Sequence, residues 1–142
     1  MRLVLDTATM VAAVRSEAGA SRRLLVATLE RRLTLLASVP LMLEYEAVMM
    51  RPQHLEAAGL QAEEMDALIG AIAAVAEPVR LAFLWRPAVR DPDDDMVLEA
   101  AVNGRAEAIV TFNRRDFGVV GARFGIDILS PGDAWKRLEA TR

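Results

Sequence analysis

Five short apolar runs recur along the chain, each followed or preceded by a stretch whose apolar residues fall at helical spacing. They are Leu3-Val4-Leu5, Leu33 to Ser38, Val79 to Leu84, Ala108 to Thr111 and Ile126 to Leu129. None shows the strict apolar–polar alternation of a strand with one wet face, so each is expected to be covered on both sides. Between them lie helical patterns beginning near Val11, at Arg22 to Arg32, at Leu41 to Met50, at Ala62 to Ala76, at Met96 to Val102 and after Ser130. Proline disfavours helix in the residue before it, so Arg51-Pro52 and Pro78 stop two of these segments, and Asn103-Gly104 supplies a C-terminal stop for a third. Ser130-Pro131 reads as an N-cap followed by proline in the first turn, and Pro40 stands where another helix can start. Covered strands in regular alternation with helices predict an α/β fold with a mainly parallel sheet. Ligands of such sheets bind in the crevice at the carboxyl ends of the strands.

No repeat, linker or low-complexity tract interrupts this order, and 142 residues suit a single domain spanning 1–142. With 54% hydrophobic and 26% charged residues the chain has enough apolar material for one core. The charge-free stretches Leu33 to Leu43 and Ala67 to Ala76 are shorter than the roughly 18 residues of a membrane span. No membrane association is therefore expected. The apolar run before Asp6 is too short for a secretory signal, so a cytoplasmic location is expected. Cysteine is absent and His54 is the single histidine, which removes disulfides, thiolate nucleophiles and multi-histidine zinc sites. Beside Pro52 and Gln53, His54 reads as a loop residue. Seventeen basic residues against 20 acidic ones leave a net charge of -3, so no global field attracts nucleic acid. Lys136 is the only lysine; the rest are arginines, which suit bidentate phosphate contacts, although GC-rich codons would produce the same bias.

The acids are distributed less evenly. Asp6 closes the first strand and Asp116 follows the fourth by a few residues, so both face the carboxyl edge of the sheet. Asp93, Asp94 and Asp95 open the helix that leads into the fourth strand. Capping and the helix dipole account for one or two of them, and three exceed that need. Glu44 and Glu46 sit in a helix that is otherwise nearly apolar, where each must occupy a narrow solvent strip or reach a site. Asp127 and Asp133 fit a strand edge and a first helical turn. Carboxylates without cysteine or histidine partners suit hard cations, Mg²⁺ or Mn²⁺, which complete their shells with water and substrate phosphate. Metal-activated water attacking a phosphodiester is the natural chemistry. Arg86, Arg90, Arg114 and Arg115 flank these acids and are candidates for guiding phosphates.

Four segments carry a resemblance: Leu3-Val4-Leu5-Asp6-Thr7, Leu43-Glu44-Tyr45 with Arg51-Pro52, the run from Asp93 to Ala101, and Ile109 to Phe117, which holds Thr111, Asn113 and Asp116. Together they resemble the PIN domain family, in particular the small VapC-like toxins of type II toxin-antitoxin systems, over nearly the whole chain. The resemblance implies a three-layer α/β/α PIN-like fold with a parallel five-stranded sheet of order 3-2-1-4-5. It implies a metal-dependent endoribonuclease, a hydrolase with Mg²⁺ or Mn²⁺ as cofactor, acting on RNA and held off by a cognate antitoxin. By the family's spacing to Asp116 it selects Asp95 over Asp94 and Asp93, so that Asp6, Glu44, Asp95 and Asp116 form the catalytic and metal-binding quartet. Thr111 and Asn113 become substrate-orienting groups. One departure stands out: Ala8 occupies a position where the family often has asparagine. PIN relatives form dimers, and Phe83, Trp85 and the methionine-rich segment Met42 to Met50 offer apolar surface for a homodimer.

Other classes fit less well. An aspartyl-nucleophile phosphatase wants a second carboxylate where Ala8 stands, and a receiver-type phosphoacceptor wants a lysine near the site, whereas Lys136 lies near the far end. The alternative that survives is an RNA-processing PIN nuclease or a catalytically inactive RNA-binding PIN module.

Overall fold

The computed structural model describes residues 1–82 and 92–141. Its centre is β1 (Arg2–Leu5), whose Leu3, Val4 and Leu5 are fully buried. β1 pairs in parallel with β2 (Thr34–Ala37) on one side and β4 (Ala108–Val110) on the other, Leu3 lying opposite both Leu35 and Ala108. β3 (Glu77–Pro78) adds to β2 and β5 (Asp127–Leu129) to β4, giving a wholly parallel sheet of order 3-2-1-4-5. The expected α/β class and strand order are thus found. Burial of both faces holds for β1, β2 and β4, which is why those runs read as continuous apolar stretches, whereas the edge strand β3 is exposed and β5 only partly buried.

Helices flank the sheet. α1 (Thr7–Arg15), α2 (Ala20–Leu29) and α8 (Pro131–Ala140) form one packed group, α1 against α2 and α2 against α8. α3 (Val39–Met49) packs on α1, on α5 (Ala62–Val75) and on α6 (Pro92–Asn103), which itself lies against β1, β2 and β4. α4 (Pro52–Ala58) bridges α1 and α3, and α7 (Gly118–Phe124) covers β5. A 3₁₀ turn at Arg114–Asp116 and α7 meet at Phe117, which is buried. Among the described residues no helix is long and apolar enough to cross a membrane.

Two expectations are corrected. Among the described residues the third strand is the short Glu77–Pro78 and does not begin at Val79, because pairing with Leu36 and Ala37 sets its register and Val79 then donates its N–H to the Ala37 carbonyl at 2.9 Å; Leu84, the expected end, lies outside the described residues. Pro78 is tolerated there because β3 is an edge strand. His54 is not in a loop: Pro52 starts a helix as well as ending one, and Gly59, at φ 70°, closes it in the left-handed conformation. Phe83, Trp85, Arg86 and Arg90 lie outside the described residues.

The end of α6 shows how tightly the layers meet. A Cβ on Gly104 would stand 2.8 Å from both the Ala100 carbonyl oxygen and Val79 Cγ2, so glycine is required by close approach. The left-handed residue of this terminus is instead Arg105, at φ 54°. Urea unfolding should therefore show Gly104→Ala to be destabilising by about 1–3 kcal/mol through overpacking. Arg105→Gly should be neutral or stabilising by up to about 1 kcal/mol, since only glycine adopts that backbone without strain. Equal stabilities for wild type and Gly104→Ala would contradict the close packing of α6 on the β2–β3 side.

Candidate active site

Asp6 is the first residue beyond β1, and three hydrogen bonds decide where it points. Its backbone N–H continues the ladder to the Val110 carbonyl at 3.1 Å. Its side chain caps α1, Oδ1 accepting from the Thr9 N–H at 2.8 Å. Oδ2 accepts from the Thr111 hydroxyl at 2.5 Å. Thr9 adds a further tie between α1 and β4 by donating its hydroxyl to the Val110 carbonyl at 3.2 Å. Asp6 is only 7% exposed, and both its oxygens are oriented without any contribution from position 8. The alanine at position 8 therefore does not leave this carboxylate unsupported.

The network continues. Thr111 Oγ1, itself fully buried, accepts the Asn113 N–H at 3.0 Å, and Asn113 Nδ2 donates to Asp116 Oδ2 at 2.8 Å. Asp6, Thr111, Asn113 and Asp116 thus form one hydrogen-bonded series along the carboxyl ends of β1 and β4, with Asp116 held by the 3₁₀ turn.

Glu44 arrives from α3. Its neighbour Tyr45 is buried and donates its hydroxyl to the Leu5 carbonyl, which fixes the rotation of α3 about its axis. Burial, and secondarily the charge of Asp6, push the Tyr45 phenol well above its ordinary pKa, so it remains a donor. One residue is about 100° of helical rotation, and Glu44 consequently lines a cavity of about 750 Å³ that Asp6 also lines. Glu46 is exposed elsewhere. On α6 it is Asp94, half-buried, that lines this cavity, whereas Asp95 is 2% exposed and Asp116 is not among the lining residues. The side chain of Asp93 lies outside the described residues. Glu99, one turn beyond Asp95 and fully buried, is an acid to which the sequence pattern assigns no role.

The same cavity also carries basic residues. Arg15 at the end of α1, Arg51 before α4 and His54 within it all line the cavity, Arg15 Nη1 lying 3.5 Å from His54 Nδ1. Sequence reasoning missed these three because they come from the ends of two helices and have no motif; the Arg51-Pro52 pair was the only visible signal. Of the arginines expected to guide phosphates, Arg114 is 3.7 Å from Asp133 in a surface ion pair.

The donor set is one of oxygens. Asp6, Glu44 and Asp94 share the cavity, but among the described residues no three acidic or imidazole groups converge into a closed metal cage. That arrangement fits a hard cation that takes one or two carboxylates and keeps water and phosphate oxygens for the rest of its shell.

These features place the protein in a family. The PIN domain family model matches residues 2–115, and the chain belongs to that family, whose members are in general nucleases. Its fold is similar to that of a chain in the crystal structure of VapBC2 from Rickettsia felis bound to a DNA fragment from their promoter, with a TM-score of 0.63 and 13% identity over 92% of this chain and 98% of that one. No curated protein matches it by sequence.

The single histidine makes the basic lining measurable. Burial first, then the charges of Arg15 and Arg51, hold the His54 imidazole below its ordinary value of 6.5, so it is neutral at pH 7. Its proton NMR titration should have a midpoint below 6.5 in the free protein and move upward when an oligonucleotide phosphate enters the cavity. A midpoint at or above 6.5 without ligand would show that burial and the charges of Arg15 and Arg51 do not act on His54.

Proposed function

We propose that the protein is an endoribonuclease dependent on Mg²⁺ or Mn²⁺ and the toxin of a toxin-antitoxin pair, restrained by a cognate antitoxin in the cytoplasm. The observation that carries this reading is the cavity at the carboxyl end of β1, lined together by the clamped Asp6, by Glu44 and Asp94, and by Arg15, Arg51 and His54. Membership of the PIN family and the likeness to a VapBC2 chain, from a complex with its promoter DNA, support it further.

In this proposal Asp6, Glu44, Asp95 and Asp116 supply the site acids, with Asp94 as the carboxylate of α6 that faces the cavity. The cation, when bound, lowers the pKa of a coordinated water and stabilises charge on the phosphodiester. The chain's own residues do the positioning. Thr111 and Thr9 hold Asp6 in one rotamer, and Asn113 holds Asp116. Arg15 and Arg51 neutralise phosphate charge that the acids would otherwise repel.

Expression without a partner should arrest growth of a bacterial host with RNA cleavage, and the Asp6→Asn protein should be tolerated. In calorimetric Mn²⁺ titrations Asp94→Asn and Asp95→Asn should each weaken binding by about 10- to 100-fold. They should differ in stability: Asp94→Asn changes a half-buried cavity-lining carboxylate and keeps the melting temperature, whereas Asp95→Asn perturbs a buried carboxylate and lowers it. Wild-type Mn²⁺ affinity in both variants, or equal harmlessness of folded wild type and Asp6→Asn, would defeat the reading.

We further propose a homodimer through α3. Met49 is buried and Met42 and Met50 pack on the core, but Val39 and Leu43 are 71% and 58% exposed on that helix. Light scattering should give a dimer mass for the wild type and a monomer mass for Leu43→Glu.

A further inference from the structure

Phe112 interrupts the catalytic hydrogen-bond series without belonging to it. Thr111 before it is fully buried and bonded to Asp6, and Asn113 after it is bonded to both Thr111 and Asp116. The Thr111 N–H is in addition fixed to the Leu129 carbonyl at 2.9 Å. Between these anchors the Phe112 ring is 61% exposed, the one aromatic among the exposed large apolar side chains described. An exposed ring on an anchored backbone adds little to stability, so a large apolar group held in water here is the informative observation.

The ring borders a cleft of about 300 Å³ where the N-terminal ends of α2 and α8 meet. The rest of the lining is small, including Gly19, Ala20, Pro131 and Gly132, and no lining side chain is charged. A phosphate finds no side-chain counter-charge in it; a flat, neutral group finds a ring face and room. The cleft adjoins the carboxylate cavity at the end of α1, where Ala12 and Ser16 line both. A polymer whose phosphate lay at Asp6 would have its next unit near the end of α1, on the side of Phe112.

We propose that Phe112 and this cleft form a subsite for an unpaired nucleobase adjacent to a phosphate held at Asp6, an inference that rests on the nuclease reading and assigns its base contact to one residue of this chain. Duplex RNA keeps its bases stacked inside the helix, whereas single strands can splay a base onto an aromatic side chain. Stacking tolerates any base, since every base has a π-face, so Phe112 selects for strandedness more than for sequence.

Abasic scanning of a short labelled RNA with a mapped cleavage site tests this. With wild type, removing one base next to the scissile phosphate should lower kcat/KM by about 5- to 100-fold, the range of a base–aromatic stack. Phe112→Ala should show the same loss on intact RNA, lose its sensitivity to the abasic site at that position only, and melt at the wild-type temperature. Phe112→Trp should restore both rate and sensitivity. Fluorescence anisotropy with the Asp6→Asn background should reproduce the pattern in binding alone. If the wild type cuts RNA but Phe112→Ala keeps its full abasic profile, the ring serves another contact, such as a protein partner, and the subsite is refuted while the nuclease reading stands. If the wild type neither binds nor cuts RNA, the nuclease reading fails and the subsite falls with it.

Discussion

The hydrogen bond from the Thr111 hydroxyl to the Asp6 carboxylate joins the ends of the two central strands, and most of the site is built outward from it. Asp6 ends β1, caps α1 and accepts from β4's successor residue, so one carboxylate fixes the relation of a strand, a helix and a neighbouring strand. Charge-assisted bonds of this kind are stronger than neutral ones, and here both partners are nearly or wholly buried, where water competes least. The rotamer of Asp6 is therefore set before any ligand arrives. Asn113 and Asp116 take their positions from the same threonine, which makes the acid beyond β4 a dependent of the acid beyond β1.

The second constraint is rotational. Because the Tyr45 hydroxyl reaches the Leu5 carbonyl, α3 cannot turn about its axis without breaking a buried hydrogen bond, and Glu44 is held facing the cavity. The charged lining then follows from topology. Acids come from the carboxyl end of β1 and from the facing sides of α3 and α6; the cations come from the far end of α1 and from α4. A parallel sheet places all of these at one edge, which is why residues as distant as Asp6 and Asp94 share a cavity.

Much of this was legible in the sequence. Covered strands announce themselves as uninterrupted apolar runs, and Leu3-Val4-Leu5 and Ala108 to Val110 are buried as that pattern requires. The position of Asp6 at a strand end was equally plain. What the pattern could not resolve was rotation and register. It expected the third strand two residues late, because β-propensity favours Val79 onward while the ladder is set by Leu36 and Ala37. It could not separate Glu44 from Glu46, since α3 is apolar almost all round and its orientation comes from a single tertiary hydrogen bond. Nor could it tell which aspartate of Asp93 to Asp95 faces the cavity: consecutive helical residues point about 100° apart, and family spacing favours Asp95 whereas, of the described pair Asp94 and Asp95, Asp94 lines the cavity. Arg15 and His54 escaped because nothing in the chain links a helix end to a residue in another helix 39 positions away.

The spacing of the acids matters as much as their number. Like charges gathered within contact distance would raise one another's pKa and destabilise the fold without a cation. Here the carboxylates are spread around a cavity of about 750 Å³, none of them closing a cage with two others among the described residues, and two arginines line the same cavity. The same geometry leaves a cation with few protein ligands, so in the proposed reaction the substrate phosphate becomes part of what holds it, and strong binding of metal and of substrate arise together. A site of this design is open and polar at its centre, and specificity has to come from its margins, where the uncharged cleft beside Phe112 adjoins the acids.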